Sequence, residues 1–538
     1  MTPTARRSGI LIPLFSAPSS GSWGIGDIGD IESLSRWLAG AGQHILQLLP
    51  LNEMAPGHQS PYSAMSAMAI DPIYINVAAV PESIANGGEA SLDASDRASL
   101  TEARGAAHVA YAAVRRVKHH ALCAAFERFV EHEWGSGSAR AAALGAYVEQ
   151  ESWWLVDYAL FRALHEQQDG RTWTEWPEAL RQRDPDALAA ATRDLTRDIP
   201  FYQYLQWIAG TQWKAARTAA AANGVALFGD LPFMVDLHSA DVWAHQGHFR
   251  LDRSVGVPPD AFSATGQDWG MPAYNWDALA ASDYTWLRSR ARRSEALYDG
   301  YRVDHLVGFF RTYTRPRHHD GQEPGFSPAR QIEQLRLGEQ VLRIFREPGS
   351  EIIAEDLGIV PDFVRASLTM LGVPGYRVFR WEADWDEQTK VLKAFRDPLR
   401  YPAISVATSG THDTEPLITW WETTATAAEK AAVAAVAPLQ QLAGPLDILT
   451  APFVPGVRDV FLELLFASAS NILLLPVQDV FGWDDRINEP ATVGEKNWTY
   501  RLPWPVDALG DQDMARERQA ALRAWSEKYG RWTTPTST

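Results

Sequence analysis

The chain has 538 residues, 46% of them hydrophobic, enough for a large buried core and without a compositional mark of disorder. Its formal net charge is −17 and it has no Lys/Arg-rich run, which argues against nucleic acid and anionic membrane as partners. A single cysteine, Cys123, excludes an internal disulfide, and no apolar run approaches the roughly 20 residues of a membrane helix.

The opening MTPTARRSGILIPLF has an apolar run that is short and broken by Pro13, so it reads as a first strand rather than a signal peptide. With no signal and no disulfide, the cytoplasm is the expected compartment. Short β-rich apolar runs then recur in chain order: GILIP (9–13), HILQLLPL (44–51), VALFGDLP (225–232), YRVDH (301–305), EIIAEDLG (351–358), YRVFRW (376–381), AISVATSGTHD (403–413) and NILLLPVQD (471–479). Helix-length segments lie between them, as in DIESLSRWLAGAG (30–42) and QIEQLRLGEQVLRIF (331–345). Near-continuous apolar strands alternating with helices indicate a parallel sheet buried on both faces. Eight such units fit a (β/α)8 TIM barrel. A doubly wound open sheet is the competing architecture, but no glycine fingerprint follows the first run.

The gap between the second and third runs exceeds one crossover. Residues 82–222 are Ala-rich with helical periodicity and read as a helical insertion packed on the barrel. Residues 238–298 are rich in Pro, Gly and Trp and read as an irregular insertion of the kind that serves function. The tail TTPTST (533–538) reads as disordered, and 1–538 as a single catalytic barrel domain carrying both insertions. The 22 tryptophans suit sugar rings, whose faces are apolar C–H patches, although core packing accounts for most of them.

Three of the runs end in acids: Asp304, Glu355-Asp356 and His412-Asp413. In a barrel, such ends carry the active residues. Several carboxylates at one mouth repel unless the chemistry uses them. Glycoside cleavage with retention does, because one carboxylate attacks the anomeric carbon while a second, protonated, serves the leaving oxygen at a separation of about 5–5.5 Å. Arg302 lies two residues before Asp304, on the same strand face, where it can hold Asp304 ionised. A divalent-metal site built from Asp304, Glu355, His412 and Asp413 is the competing reading, but the chain lacks H-x-H or H-E-x-x-H spacing. His318-His319 sits in a polar loop and reads as solvated.

The order R-V-D-H, A-E-D-L-G, T-H-D-T resembles the α-amylase clan. Further motifs resemble one family within it, the amylomaltases (4-α-glucanotransferase or disproportionating enzymes, glycoside hydrolase family 77). They are SWGIGDIGD (22–30), LLPLN…SPYSAMSAMAIDPIYI (48–75), GDLPF (229–233), GVPPDAFSATGQDWGMPAYNW (256–276) and RINEPATVGEKNWTYR (486–501). The resemblance implies a retaining 4-α-glucanotransferase with no cofactor and no catalytic metal, acting on maltooligosaccharides and α-1,4-glucans. It implies Asp304 as nucleophile, Glu355 as general acid and then base, and Asp413 as stabiliser of the transition state. Arg302, His305 and His412 would line the cleaved bond, and Tyr62, Asp230 and Asn488 would lie near the sugar. Asp260, Phe262, Gln267 and Trp269 would ride on a loop arching over the cleft, and no C-terminal β-sandwich is expected. The pattern departs from the family at Val307 (usually charged), Asp71 (usually Asn), NEPAT (488–492) and the segment 311–331. Those departures touch the acceptor side and leave the three acids intact. A hydrolase with the same triad, or a glucan-binding protein without catalysis, are the alternatives. Monomer and homodimer both remain open.

Overall fold

The computed structural model describes residues 5–532, apart from 56, 260–265, 318–322, 387, 390, 491 and 493. Asp260, Phe262, His318, His319 and the tail 533–538 therefore lie outside the described residues.

Eight strands form a closed, wholly parallel barrel: β1 (Arg7–Leu11), β2 (Ile45–Gln47), β3 (Ala226–Leu231), β4 (Gly300–Val303), β5 (Glu351–Ala354), β6 (Gly375–Val378), β7 (Ser405–Thr408) and β8 (Ile472–Pro476). Each overlaps one apolar run of the sequence, and all but β1 are shorter than their run, because a run's last residues leave the ladder to build the mouth. Closure is made by β1, whose Gly9 stands opposite Ile45 on one side and Leu474 on the other. A Cβ at Gly9 would lie 2.3 Å from the Ile45 carbonyl oxygen, so only glycine fits this seam.

The barrel interior is filled by Ile45, Phe228, Ile353, Tyr376, Val378, Val406, Ile472 and Leu474, all buried. Their neighbours along each strand, such as Leu46, Leu227 and Leu473, point outward into the core shared with the helices. Both faces are thus apolar, which is why the runs read as continuous rather than alternating.

Between β2 and β3 the chain is mainly helical, with long helices at Tyr111–His132, Ser152–Gln167 and Asp198–Ala222. Asp71 is fully buried where these helices meet the loop after β2. It accepts the Met54 and Ile73 N–H groups (3.0 and 2.9 Å) and both terminal nitrogens of Arg115 (3.0 and 2.7 Å). A cation within the helical segment thereby offsets the charge that Asp brings in place of Asn.

The segment 238–298, expected to be irregular, instead contains regular structure. Strands Phe249–Val257 and Gln267–Tyr274 pair antiparallel, and a helix follows at Thr285–Leu297. Two further strands, Thr312–Pro316 and Gly325–Ser327, come from the segment after β4 and complete a four-stranded side sheet. A hairpin of Ala383–Trp385 and Leu392–Phe395 stands after β6. Among the described residues, no helix is long and apolar enough to cross a membrane.

Candidate active site

The site assembles at the C-terminal ends of β3, β4, β5 and β7. Asp230 on β3 and Arg302 on β4 are register partners, so their side chains start side by side. Both are almost fully buried, and Arg302 Nη1 donates to both Asp230 oxygens at 2.9 and 2.7 Å. The same nitrogen lies 2.9 Å from Asp304 Oδ1, and Nη2 lies 3.8 Å from Glu355 Oε2. One guanidinium therefore serves three carboxylates. Burial alone lowers an arginine's pKa, but here Asp230 and Asp304 overcome it and hold the charge firmly on. Asp230 is pushed up to about 6 by burial, against the pull of Arg302.

Asp304 follows β4 directly, and its N–H still donates to the Leu231 carbonyl (3.0 Å). Its side chain is 24% exposed while that of Arg302 is 5%, so the carboxylate faces the open mouth with its counter-ion beneath it. His305 then turns the chain with φ +41°, in the left-handed region that residues with a Cβ rarely adopt. That turn aims the His305 N–H at Glu355 Oε2 (2.9 Å), while the Leu357 N–H donates to Oε1 (2.8 Å). Glu355 is thus held through both oxygens. Burial nonetheless raises its pKa; Arg302 opposes and the Asp304 charge adds to the rise. Backbone strain of this kind concentrates at functional sites.

Asp413 lies in the loop after β7. The His412 imidazole sits 3.2 Å from Oδ2, Asn488 Nδ2 donates to Oδ1 (2.7 Å), and Arg486 Nη2 donates to the Asp413 carbonyl (2.6 Å). Burial raises this carboxyl too, but His412 and Asn488 outweigh it and hold it well below the usual range. Tyr62 closes the floor: its hydroxyl donates to Asp230 Oδ2 (2.7 Å) and lies 3.1 Å from His412 Nε2. Its ring stacks on His412 at 5.5 Å and meets Trp498 at 5.6 Å. Trp269, on the side sheet, sets its ring edge-on to His305 at 5.0 Å, and its Nε1 donates to Gln267 (3.1 Å).

The structure thus gathers Asp304, Glu355, Asp413, Tyr62, Asp230, Arg302, His305, His412 and Asn488, with Gln267 and Trp269 at the edge. Sequence reasoning missed Trp498 and Arg486, although both lie in the 486–501 block that it singled out. Their contacts, an aromatic wall and a backbone anchor, leave no spacing signature.

Carboxylates held in unlike states at the C-terminal mouth of a parallel barrel define a glycoside-processing enzyme. Residues 12–507 match the family model described as 4-alpha-glucanotransferase, and the chain belongs to that family, glycoside hydrolase family 77. It is 32% identical over 536 residues to a 4-alpha-glucanotransferase of Thermus thermophilus, covering 97% of this chain and 98% of that protein. It is 31% identical over 511 residues to that of Chlamydia pneumoniae, covering 94% and 93%. The amylomaltase of Streptococcus agalactiae, solved with acarbose, superposes with a TM-score of 0.81 at 27% identity, covering 98% of this chain and all of that one.

Proposed function

We propose that the chain transfers α-1,4-glucan segments between maltooligosaccharides through a covalent glycosyl-enzyme, with Asp304 as nucleophile, Glu355 as general acid and base, and Asp413 as transition-state stabiliser. The observation that carries this reading is the unlike treatment of three carboxylates around Arg302. Glu355 is biased toward its protonated form and Asp413 toward its charged form, while Asp304 sits at the mouth against its counter-ion.

In the first step an Asp304 oxygen attacks C1 of the donor, and the C1–O4 bond breaks as Glu355 gives its proton to O4. The product is a glycosyl ester on Asp304 and a free non-reducing end on the departing sugar. In the second step Glu355 takes the proton from an acceptor 4-hydroxyl, which attacks C1 and releases Asp304. Two inversions give retention. Charge develops on the ring between the steps, and the anchored Asp413 carboxylate stabilises it. His305, His412, Tyr62, Asp230 and Asn488 line the sugar being transferred. Neither step calls for a cofactor.

The reading extends to the architecture. Residues 1–538 act as one catalytic domain, 82–222 as a helical subdomain, and 238–298 as a cover over the cleft that carries Asp260, Phe262, Gln267 and Trp269. Covering the ester against water favours sugar as acceptor. The expected compartment is the cytoplasm.

Maltotriose disproportionation tests this. Transfer yields glucose and longer oligosaccharides with the number of reducing ends conserved, whereas hydrolysis adds one per cleavage. A gain of reducing ends at the rate of bond cleavage makes the protein a hydrolase and overturns the proposal.

A further inference from the structure

The loop that carries His412 and Asp413 is fastened at both ends by direct bonds. Arg380, past β6, donates to the Ser409 and Glu415 carbonyls (3.2 and 2.8 Å). Asp479, past β8, accepts the Ser409 hydroxyl and the Leu417 N–H. The middle of the loop instead borders a cavity of about 10 Å³, lined by Thr411, His412, Thr414, Glu415, Gln478 and Arg486 among others. Gln478, two residues past β8, is 2% exposed, yet neither Oε1 nor Nε2 of its amide meets a hydrogen-bond partner among the described residues. Exchanging the two amide atoms changes nothing, since both stand alone. Leaving a buried amide so is costly, and folded proteins satisfy such groups with protein or with an ordered water. A cavity of this size holds one water.

We infer that Gln478 binds a single water in this cavity and, through it, positions His412 beside Asp413. The inference rests on the glucan-transfer reading and adds a positioning residue to it. Glu415 on the wall is met by Arg380 at 3.4 Å and Arg486 at 4.0 Å, so a neutral occupant suits the cavity better than an ion. The partners a water needs are at hand. Gln478 offers an acceptor and donors, and the Thr411 hydroxyl, which accepts the Asp413 N–H (3.2 Å), keeps its own hydrogen to give. The remaining partner is His412. Tyr62 has one hydroxyl hydrogen and gives it to Asp230 (2.7 Å), so His412 Nε2, 3.1 Å from the Tyr62 oxygen, must carry a hydrogen. That hydrogen also serves Asp413 Oδ2 at 3.2 Å. Nδ1 is then the ring nitrogen without a protein partner among the described residues, and the water supplies one. An imidazole held at both nitrogens keeps its tautomer and cannot swing away from Asp413. Asp413 acts on charge that develops in the transition state, so loosening its neighbour slows turnover and leaves ground-state binding alone.

The test is Gln478→Leu, which is similar in volume and removes both amide atoms. Crystal structures at high resolution read the water directly: wild type should show one within hydrogen-bond distance of Gln478 and His412, and the variant none. On maltotriose kcat should fall about tenfold, the worth of one hydrogen bond, with KM within about twofold of wild type. Turnover of α-maltosyl fluoride should fall equally, because both steps pass through the charge that Asp413 stabilises. Gln478→Asn keeps the amide and should recover kcat to within about threefold of wild type. No water at the site in wild type overturns the inference. So does a wild-type kcat in the Leu variant, a loss that appears in KM alone, or an Asn variant as slow as the Leu variant. If the Leu variant lacks a thermal unfolding transition, Gln478→Met, equal in length and apolar, carries the same comparison. Wild-type maltotriose disproportionation, run alongside, separates the two levels. If transfer occurs while the apolar variant turns over like wild type, only the water site fails; if no transfer occurs, the underlying reading fails.

Discussion

Replacing Glu355 by Gln probes both halves of the proposed chemistry. Each oxygen of Glu355 accepts one backbone N–H, from His305 (2.9 Å) and Leu357 (2.8 Å). An amide can satisfy only one of them; its NH2 must face the other donor. That strands a buried N–H and costs about 1–3 kcal/mol of stability. The chemical loss is larger. General acid catalysis contributes about 10²–10⁴-fold, or roughly 2.7–5.4 kcal/mol of barrier, on maltotriose. α-Maltosyl fluoride needs no proton on its leaving group, so fluoride release in the first turnover should stay within about tenfold of wild type. The second step has lost its base and should stall, leaving a maltosyl ester on Asp304 visible by intact-mass spectrometry. pH supplies an independent check. Burial raises the Glu355 pKa above its ordinary 4.5, so the proton-bearing form persists to higher pH. Wild-type activity on maltotriose should fall on the alkaline side as that proton is lost, whereas the fluoride burst should show no such limb. A burst that falls as far as maltotriose turnover, with no ester formed, would refute the assignment of Glu355.

Asp304→Asn should remove at least about 10⁴-fold of turnover on every donor, with an unchanged circular dichroism spectrum, because the two-step route itself is gone. Arg302→Lys keeps the charge but not the planar guanidinium whose Nη1 holds Asp230 and Asp304 while Nη2 lies 3.8 Å from Glu355. It should lower kcat/KM by about 10–100-fold, and full activity would contradict the central role of the guanidinium. Trp269→Ala removes the ring packed at 5.0 Å on His305. The hydrolysis-to-transfer ratio, read from reducing ends during maltotriose disproportionation, should rise several-fold; an unchanged ratio would deny Trp269 a shielding role.

The barrel was legible because each strand is buried on both faces and so prints an unbroken apolar run. Asp304, Glu355 and Asp413 were legible because each stands in the closing residues of such a run, and Arg302 because it shares a strand face with Asp304. Tyr62, Asp230 and Asn488 came from family resemblance alone; the Asp230–Arg302 pairing depends on the register between β3 and β4, which no local pattern encodes. The side sheet was misread as irregular for a related reason. Strand Phe249–Val257 finds partners both in the following strand and across β4, at Thr312–Pro316, and its ladder with Gln267–Tyr274 shifts register twice. Interrupted alternation hides a strand from a reading that looks for period two. The hairpin after β6 is too short and too charged to stand out at all.

The third carboxylate draws its support from beyond the last strand. Asn488 and Arg486, which fix the Asp413 side chain and carbonyl, follow β8, and β8 itself must find β1 before the cylinder can shut. A nascent chain with seven strands made would hold the nucleophile and the acid but leave Asp413 with His412 alone, without Asn488 and Arg486. Contacts spanning nearly the whole chain form late, since loop-closure entropy must be met first. The anchoring of Asp413 by Asn488 and Arg486 is thereby a contact of the completed barrel, made only once the segment after β8 is in place.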